Sequence, residues 1–194
     1  MGSPSRKRIQ PRSDWPEDIS TVLISQTRLR KRVGELARQI ERDYAGLDLV
    51  IVALLNGTVV FLADLIRQLQ LPLRLDFIGV SSYRDGVESK ELVTTKELRL
   101  DVKGREVLIL DDILDTGRTM ALVLDKIRKL KPRSMKICVL LDKPSRRLAK
   151  VSADYTGFEI PDKFVIGYGL DYAERYRNLP FIGVLKPHIY EASA

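Results

Sequence analysis

The sequence predicts an α/β fold, a mostly parallel twisted sheet flanked by helices. Short apolar runs of strand length recur along the chain, and stretches with helical spacing separate them. Several of those runs are apolar throughout rather than alternating, the pattern of strands covered on both faces. Polar and charged residues with chemical uses follow the runs directly, and open α/β sheets bind ligands beyond the carboxyl ends of their strands. Together these observations argue for one domain built on a mostly parallel sheet wrapped by helices.

Residues 1–16 are rich in Ser, Pro, Arg and Lys and read as a disordered basic leader. Arg28–Tyr44 follows as a helix, with Leu29, Val33, Leu36, Ala37 and Ile40 at helical spacing and Gly46 as its stop. Leu49–Leu55 is a continuous apolar strand, closed by the turn signal Asn56–Gly57. Val59–Leu69 is the next helix and Leu73–Val80 the next strand. Ser81–Val93 is long, polar and aperiodic, and loops of this kind in compact domains are usually functional or disordered. Glu106–Leu110 is a strand, Thr119–Leu130 a helix and Ser134–Leu141 a strand. Shorter strand-like pieces, Phe164–Tyr168 and Phe181–Leu185, complete the tail.

Composition excludes several classes. The 194 residues fit one domain of the usual size, about 100–200 residues. No apolar run nears the ~18 residues that span a bilayer, and the basic first residues lack a signal-peptide core. The expectation is a cytoplasmic protein with no membrane partner. Cys138 is the only cysteine and lies in the apolar run Ile137–Leu141, so it reads as a buried, inert thiol. His188 is the only histidine, which excludes a zinc site needing two, and no nucleophile-elbow sequence accompanies it. The net charge of +7 fits either a nucleic-acid partner or a pocket for a phosphorylated substrate. Only motifs can decide between them.

The most informative segment runs Val107-Leu-Ile-Leu-Asp-Asp-Ile-Leu-Asp-Thr-Gly-Arg-Thr119. An apolar strand ends in paired carboxylates, Asp111 and Asp112. A short loop then carries Asp115, and Thr116-Gly117-Arg118-Thr119 opens a helix. Gly117 permits close backbone approach or a positive φ. Amide N–H groups at a helix start, beside two threonine hydroxyls, make an anion site suited to a phosphate monoester. Carboxylates would repel that phosphate, so the acids suit ribose hydroxyls or a hard cation such as Mg²⁺. Helix capping by Asp115 or Thr116 explains either residue alone, but not three aspartates before Thr-Gly-Arg-Thr. The glycine spacing is not that of a Walker A loop. These residues by themselves reach a phosphorylated sugar with Mg²⁺ and stop short of the reaction.

The segment resembles the phosphoribosyl pyrophosphate (PRPP) signature of type I phosphoribosyltransferases, and four other segments resemble their hypoxanthine–guanine branch. The resemblance implies that family's fold, with a small hood from about residues 17–30 and 155–194. It implies transfer of 5-phosphoribosyl from PRPP to N9 of a 6-oxopurine, hypoxanthine or guanine, giving IMP or GMP and pyrophosphate with Mg²⁺ as cofactor. By the same resemblance Asp111 and Asp112 hold the ribose hydroxyls and share in metal binding, while Thr116, Gly117, Arg118 and Thr119 bind the 5′-phosphate with Asp115. Asp115 also exchanges a proton with purine N7. Leu55-Asn56-Gly57-Thr58 is similar to the pyrophosphate loop, whose peptide is often cis. Ser82 and Tyr83 belong to the opening of a catalytic lid of about residues 81–95.

The remaining implied roles lie in the second half of the chain. Lys143 reaches the purine 6-oxo group, Phe164 stacks on the purine and Val165 contacts its 2-position edge. Asp171 reaches Mg²⁺ and Arg177 binds pyrophosphate. Read without the resemblance, Asn56–Gly57 is a plain strand-to-helix turn, Lys143 a solvated strand end and Phe164 a core residue. Relatives of this kind are homodimers or homotetramers. A xanthine-preferring enzyme is the nearest alternative. RNA-binding regulators share the fold, but tyrosine usually stands at the position of Asp115 in them, which argues against a nucleic-acid partner.

Overall fold

The continuous apolar runs form the centre of a six-stranded sheet in the computed structural model, which describes residues 15–82 and 92–191. The first half of the chain comprises α1 (Trp15–Asp18), β1 (Ile19–Ile24), α2 (Gln26–Asp43), β2 (Leu49–Leu55), α3 (Val59–Ile66), β3 (Leu73–Ser82) and β4 (Leu92–Lys96). The second comprises β5 (Glu106–Leu114), α4 (Arg118–Lys129), β6 (Ser134–Asp142), a 3₁₀ turn (Pro144–Arg146), β7 (Tyr155–Glu159), β8 (Val165–Ile166), β9 (Ile182–Leu185) and α5 (Pro187–Glu191).

The large sheet has the order β4-β3-β2-β5-β6-β7. Every neighbouring pair is parallel except β3 and β4 at one edge. A mostly parallel sheet flanked by helices is therefore the architecture, as the apolar runs predict. Leu49, Ile51 and Ala53 of β2 and Leu108 and Leu110 of β5 pack with α2 and α3, whereas Val50, Val52, Leu54, Val107 and Ile109 pack with α4. Both faces of these strands are buried, which is why no polar residue alternates along them. Strand order reverses at β2, with its successor β3 on one side and β5 on the other. Ligands collect outside the carboxyl ends of strands at such a point, here Asn56 after β2 and the acid-rich end of β5.

The structure moves several boundaries. The strand expected to end at Leu110 continues to Leu114, because its pairing with β6 runs on to Leu114↔Asp142. Asp111 and Asp112 thus stand within the strand rather than after it; their charge conceals a backbone pairing that persists. The expected loop 81–93 begins and ends as strand, since β3 runs through Ser82 and β4 starts at Leu92. The half-exposed alternation of β4 lacks the apolar content that marks the central strands. α2 starts at Gln26 rather than Arg28, with the Ser25 hydroxyl accepting from the Arg28 N–H at 3.4 Å as its N-cap. α3 stops at Ile66 rather than Leu69, because Gln68 and Leu69 bond back only three residues and tighten the last turn.

β1, β9 and β8 form a separate three-stranded antiparallel sheet. β7 belongs to the large sheet instead, so the tail's share of the small one narrows to β8 and β9. The expected strand Phe164–Tyr168 shortens to Val165–Ile166, where Gly167 and Tyr168 take positive φ values of 96° and 52°. The leader expected to reach residue 16 meets α1 at Trp15, and residues 1–14 lie outside the described residues. Tyr83 lies outside them too. Cys138 is buried. No helix among the described residues is long and apolar enough to cross a membrane.

Candidate active site

The ends of β2 and β5 enclose a cleft of about 350 Å³, lined by Leu54, Leu55, Val80 and the run from Asp111 through Gly117 with Thr119 and Met120. Gly117 caps α4 with φ 81°, the left-handed conformation that a glycine adopts at little cost. Its pro-chiral side faces the Arg147 side chain, 3.1 Å from where a Cβ would stand. The Thr116 carbonyl accepts from the Leu148 and Ala149 N–H groups at 2.9 and 3.1 Å, and Arg147 donates to the Asp115 carbonyl and the Asp142 carboxylate. The loop after β6 thus braces the back of the cradle. The Arg118 N–H that opens α4 donates to the Thr116 hydroxyl at 3.5 Å, and helix-start N–H groups of this kind suit an anion.

Asp111 and Asp112 line this cleft. They keep some accessible surface, yet protein crowds them on every other side. That burial, with the Asp112 charge beside it, pushes the Asp111 carboxyl well above the usual carboxylate range. Burial also raises Asp112. The Thr58 hydroxyl donates to Asp111 at 3.2 Å. The Leu55–Asn56 peptide is cis, the isomer that the resemblance names for this loop. Gly57 is required by contact: a Cβ there would stand 1.7 Å from the Asp112 carboxylate. Gly169, at φ 104°, packs on the Gly57 carbonyl, where a Cβ would come within 2.0 Å. The turn after β2, the acid pair and the tail loop therefore form one layered unit.

A second cavity of about 670 Å³ opens beside the cradle, and Ile113 and Asp115 line both. Lys143, Phe164 and Val165 are on its wall. Lys143 is 6% exposed, and its ammonium donates to the Lys163 carbonyl at 2.7 Å. A buried lysine held by a carbonyl is no solvated strand end. Phe164 is 36% exposed and stacks on Tyr190 of α5, with centroids 4.8 Å apart and planes at 17°. Tyr172 meets its edge at 5.6 Å. The Asp115 carboxylate accepts from Arg146 Nε at 3.0 Å.

Asp171 and Arg177 face each other at 2.9 Å, and Arg177 also donates to the Gly169 carbonyl at 2.9 Å. Neither residue lines the two cavities that meet at Asp115; Arg177 borders a third, of about 690 Å³, between α2, α3 and the tail. Among the described residues no three acidic, histidine or cysteine side chains gather as a metal cage. Asp111 and Asp112 lie together, while Asp171 stands with Arg177. Carboxylates of this kind suit a hard cation that takes its remaining oxygens from a phosphorylated ligand. Thr58 and Ile113 belong to the two quoted motif segments without a role of their own, and the sequence assigns none to Gly169, Arg146, Arg147 or Tyr190. Gly169 stands in a Gly-x-Gly of the tail; Arg146, Arg147 and Tyr190 reach the site by long-range packing.

A glycine-capped helix start and an acid pair at the switch point of a parallel sheet mark a candidate sugar-phosphate site in an α/β protein, and residues 23–173 match the family model of the phosphoribosyl transferase domain. The chain is 48% identical over 176 residues to the hypoxanthine-guanine phosphoribosyltransferase of Bacillus subtilis (strain 168), covering 90% of this chain and 98% of that one. It is 43% identical to a solved hypoxanthine phosphoribosyltransferase of Staphylococcus aureus, with TM-score 0.87 and coverage of 93% and 99%. The chain belongs to the phosphoribosyltransferase family, in its hypoxanthine–guanine branch. It is also 47% identical over 174 residues to the bifunctional protein TilS/HprT of Listeria monocytogenes, but spans only 27% of that protein's length.

Proposed function

We propose that this chain is a purine-salvage transferase that moves 5-phosphoribosyl from PRPP to N9 of hypoxanthine or guanine, yielding IMP or GMP and pyrophosphate. The observation that carries the reading is that the anion cradle and the lysine- and phenylalanine-lined cavity meet at Asp115. A sugar phosphate in the first and a planar base in the second would join beside that carboxylate.

In this mechanism the 5′-phosphate sits against the backbone of 115–119 and the ribose hydroxyls against Asp111 and Asp112. The C1′–oxygen bond breaks with its electron pair going to pyrophosphate, and purine N9 forms the new bond to C1′. Asp115 takes the proton that N7 then gives up. Lys143 offers its ammonium to the 6-oxo oxygen, Phe164 stacks on the ring and Val165 contacts its 2-position edge. Asn56 and Gly57 turn backbone N–H groups toward pyrophosphate, with Arg177 adding charge. Ser82 and Tyr83 begin the lid that excludes water from the cationic sugar carbon. Asp111, Asp112 and Asp171 would hold Mg²⁺, which neutralises charge on the leaving pyrophosphate. Most of the rate enhancement in this scheme is positioning and electrostatics.

The scheme places the strands β1, β8 and β9 as a hood over the base, and the protein in the cytoplasm as a homodimer or homotetramer. The lone, buried Cys138 suits a reducing compartment. The test is to incubate the chain with PRPP, Mg²⁺ and each purine in turn and measure nucleotide. IMP or GMP formation is expected; no product from any 6-oxopurine would overturn the reading.

A further inference from the structure

We propose that Arg146 is a positioning residue for Asp115, holding one carboxylate oxygen so that the other is presented to purine N7; this rests on the transferase reading above. Arg146 ends the 3₁₀ turn after β6. Its Nε donates to Asp115 Oδ1 at 3.0 Å, and its Nη1 lies 3.4 Å from Asp162 Oδ2. Asp162 Oδ1 in turn lies 3.7 Å from the Lys143 ammonium, which is held by the Lys163 carbonyl. One guanidinium therefore ties the cradle's acid to the strip that lines the base cavity. Among the described residues no hydrogen bond reaches Asp115 Oδ2, so one oxygen is fixed and the other is open to a ligand.

Two observations separate this role from simple stabilisation. The Arg146 and Asp115 side chains are 45% and 38% exposed, and ion pairs so open to water add little stability. The cradle backbone has its own brace, since Arg147 next door holds the Asp115 carbonyl and the Asp142 carboxylate and is only 16% exposed. The adjacent arginines divide the work: one sets the main chain, the other sets the side chain. An acid–base group must lie within hydrogen-bond reach of its proton, and small misplacements are expensive in rate. The planar guanidinium spans two carboxylates at once, which a lysine ammonium does less well.

The test is steady-state kinetics of R146Q and R146K with PRPP, Mg²⁺ and hypoxanthine, alone and in a D115N background, with thermal melts of each variant. R146Q should lower kcat roughly tenfold, part of the ~10²–10⁴ that an acid–base group supplies. R146K should recover some of that loss, and the KM for PRPP and the melting temperature should hold. In the D115N background R146Q should cost nothing more, because its effect runs through the acid it positions. Wild-type kcat in R146Q, an equal loss in the D115N background, or a PRPP KM that rises in step would each overturn the proposal. A wild-type chain without turnover would overturn the transferase reading, and this proposal with it.

Discussion

Asp111 sits where a carboxylate is poorly solvated, crowded by protein and beside the charge of Asp112. Its folded-state pKa lies above the ordinary value of about 3.9. Between those two values the native state binds more protons than the unfolded chain, so stability falls as pH rises through the window. Asp111→Asn should therefore melt higher than wild type near neutral pH, by about 2–4 °C for each kcal/mol relieved. The gain should shrink toward the unfolded value of about 3.9 and vanish below about pH 3, where the wild-type carboxyl is protonated in both states. Melting curves across that range check it, and a gain independent of pH would contradict the sign. The same substitution removes an acid assigned to the ribose, the usual exchange of stability for function. For Asp115→Asn the expectation is kinetic: kcat lower by about 10²–10⁴. Near-normal turnover would remove Asp115 from the proton step.

At the scale of elements, Asp76 joins β3 to the chain that follows β4. Its carboxylate is 5% exposed and accepts the N–H groups of Phe77, Arg99 and Leu100 at 2.7, 2.5 and 2.8 Å, and the Lys96 ammonium at 3.2 Å. Burial would raise this carboxyl, but the three N–H groups and Lys96 outweigh it and hold the pKa below the ordinary value. Its stabilising effect is therefore present above about pH 3.9 and is lost as pH falls through the lowered value. Asp76→Ala removes the buried acceptor of three backbone N–H groups and should cost about 1–3 kcal/mol. Denaturant titrations at neutral and acid pH test this, with a smaller difference expected in acid. The sequence showed Asp76 as one charge inside a strand. Apart from the neighbouring Phe77, its partners stand 20 to 24 residues on, and nothing local announces them.

For the whole molecule, the net charge of +7 by itself left a nucleic-acid partner open, and the aspartate at 115 in the motif argued against one. Some of the basic side chains are employed internally: Arg32 caps the carbonyls of Thr156 and Gly157, and Arg146 and Arg147 brace the cradle. Filter binding with structured RNA at physiological salt should show no affinity tighter than about 10⁻⁶ M, the range of non-specific contacts. Tight retention would revive the regulator reading. The sequence by itself determined the strands β2, β3, β5 and β6, the helices α2, α3 and α4 and the doubly buried sheet, and it pointed to the cradle, because apolar runs, helical spacing and the order Asp-Asp to Thr-Gly-Arg-Thr are local patterns; β1, β4 and β7 left no such pattern. It also named Asp115, Lys143 and Phe164 through a family pattern. Tertiary structure alone decided that β5 carries its acids inside the strand, and that Gly169 presses on Gly57. It alone brought the cradle and the second cavity together at an Asp115 held by Arg146. Those contacts join residues 31 to 112 positions apart, and packing over such separations leaves no periodic trace in the chain.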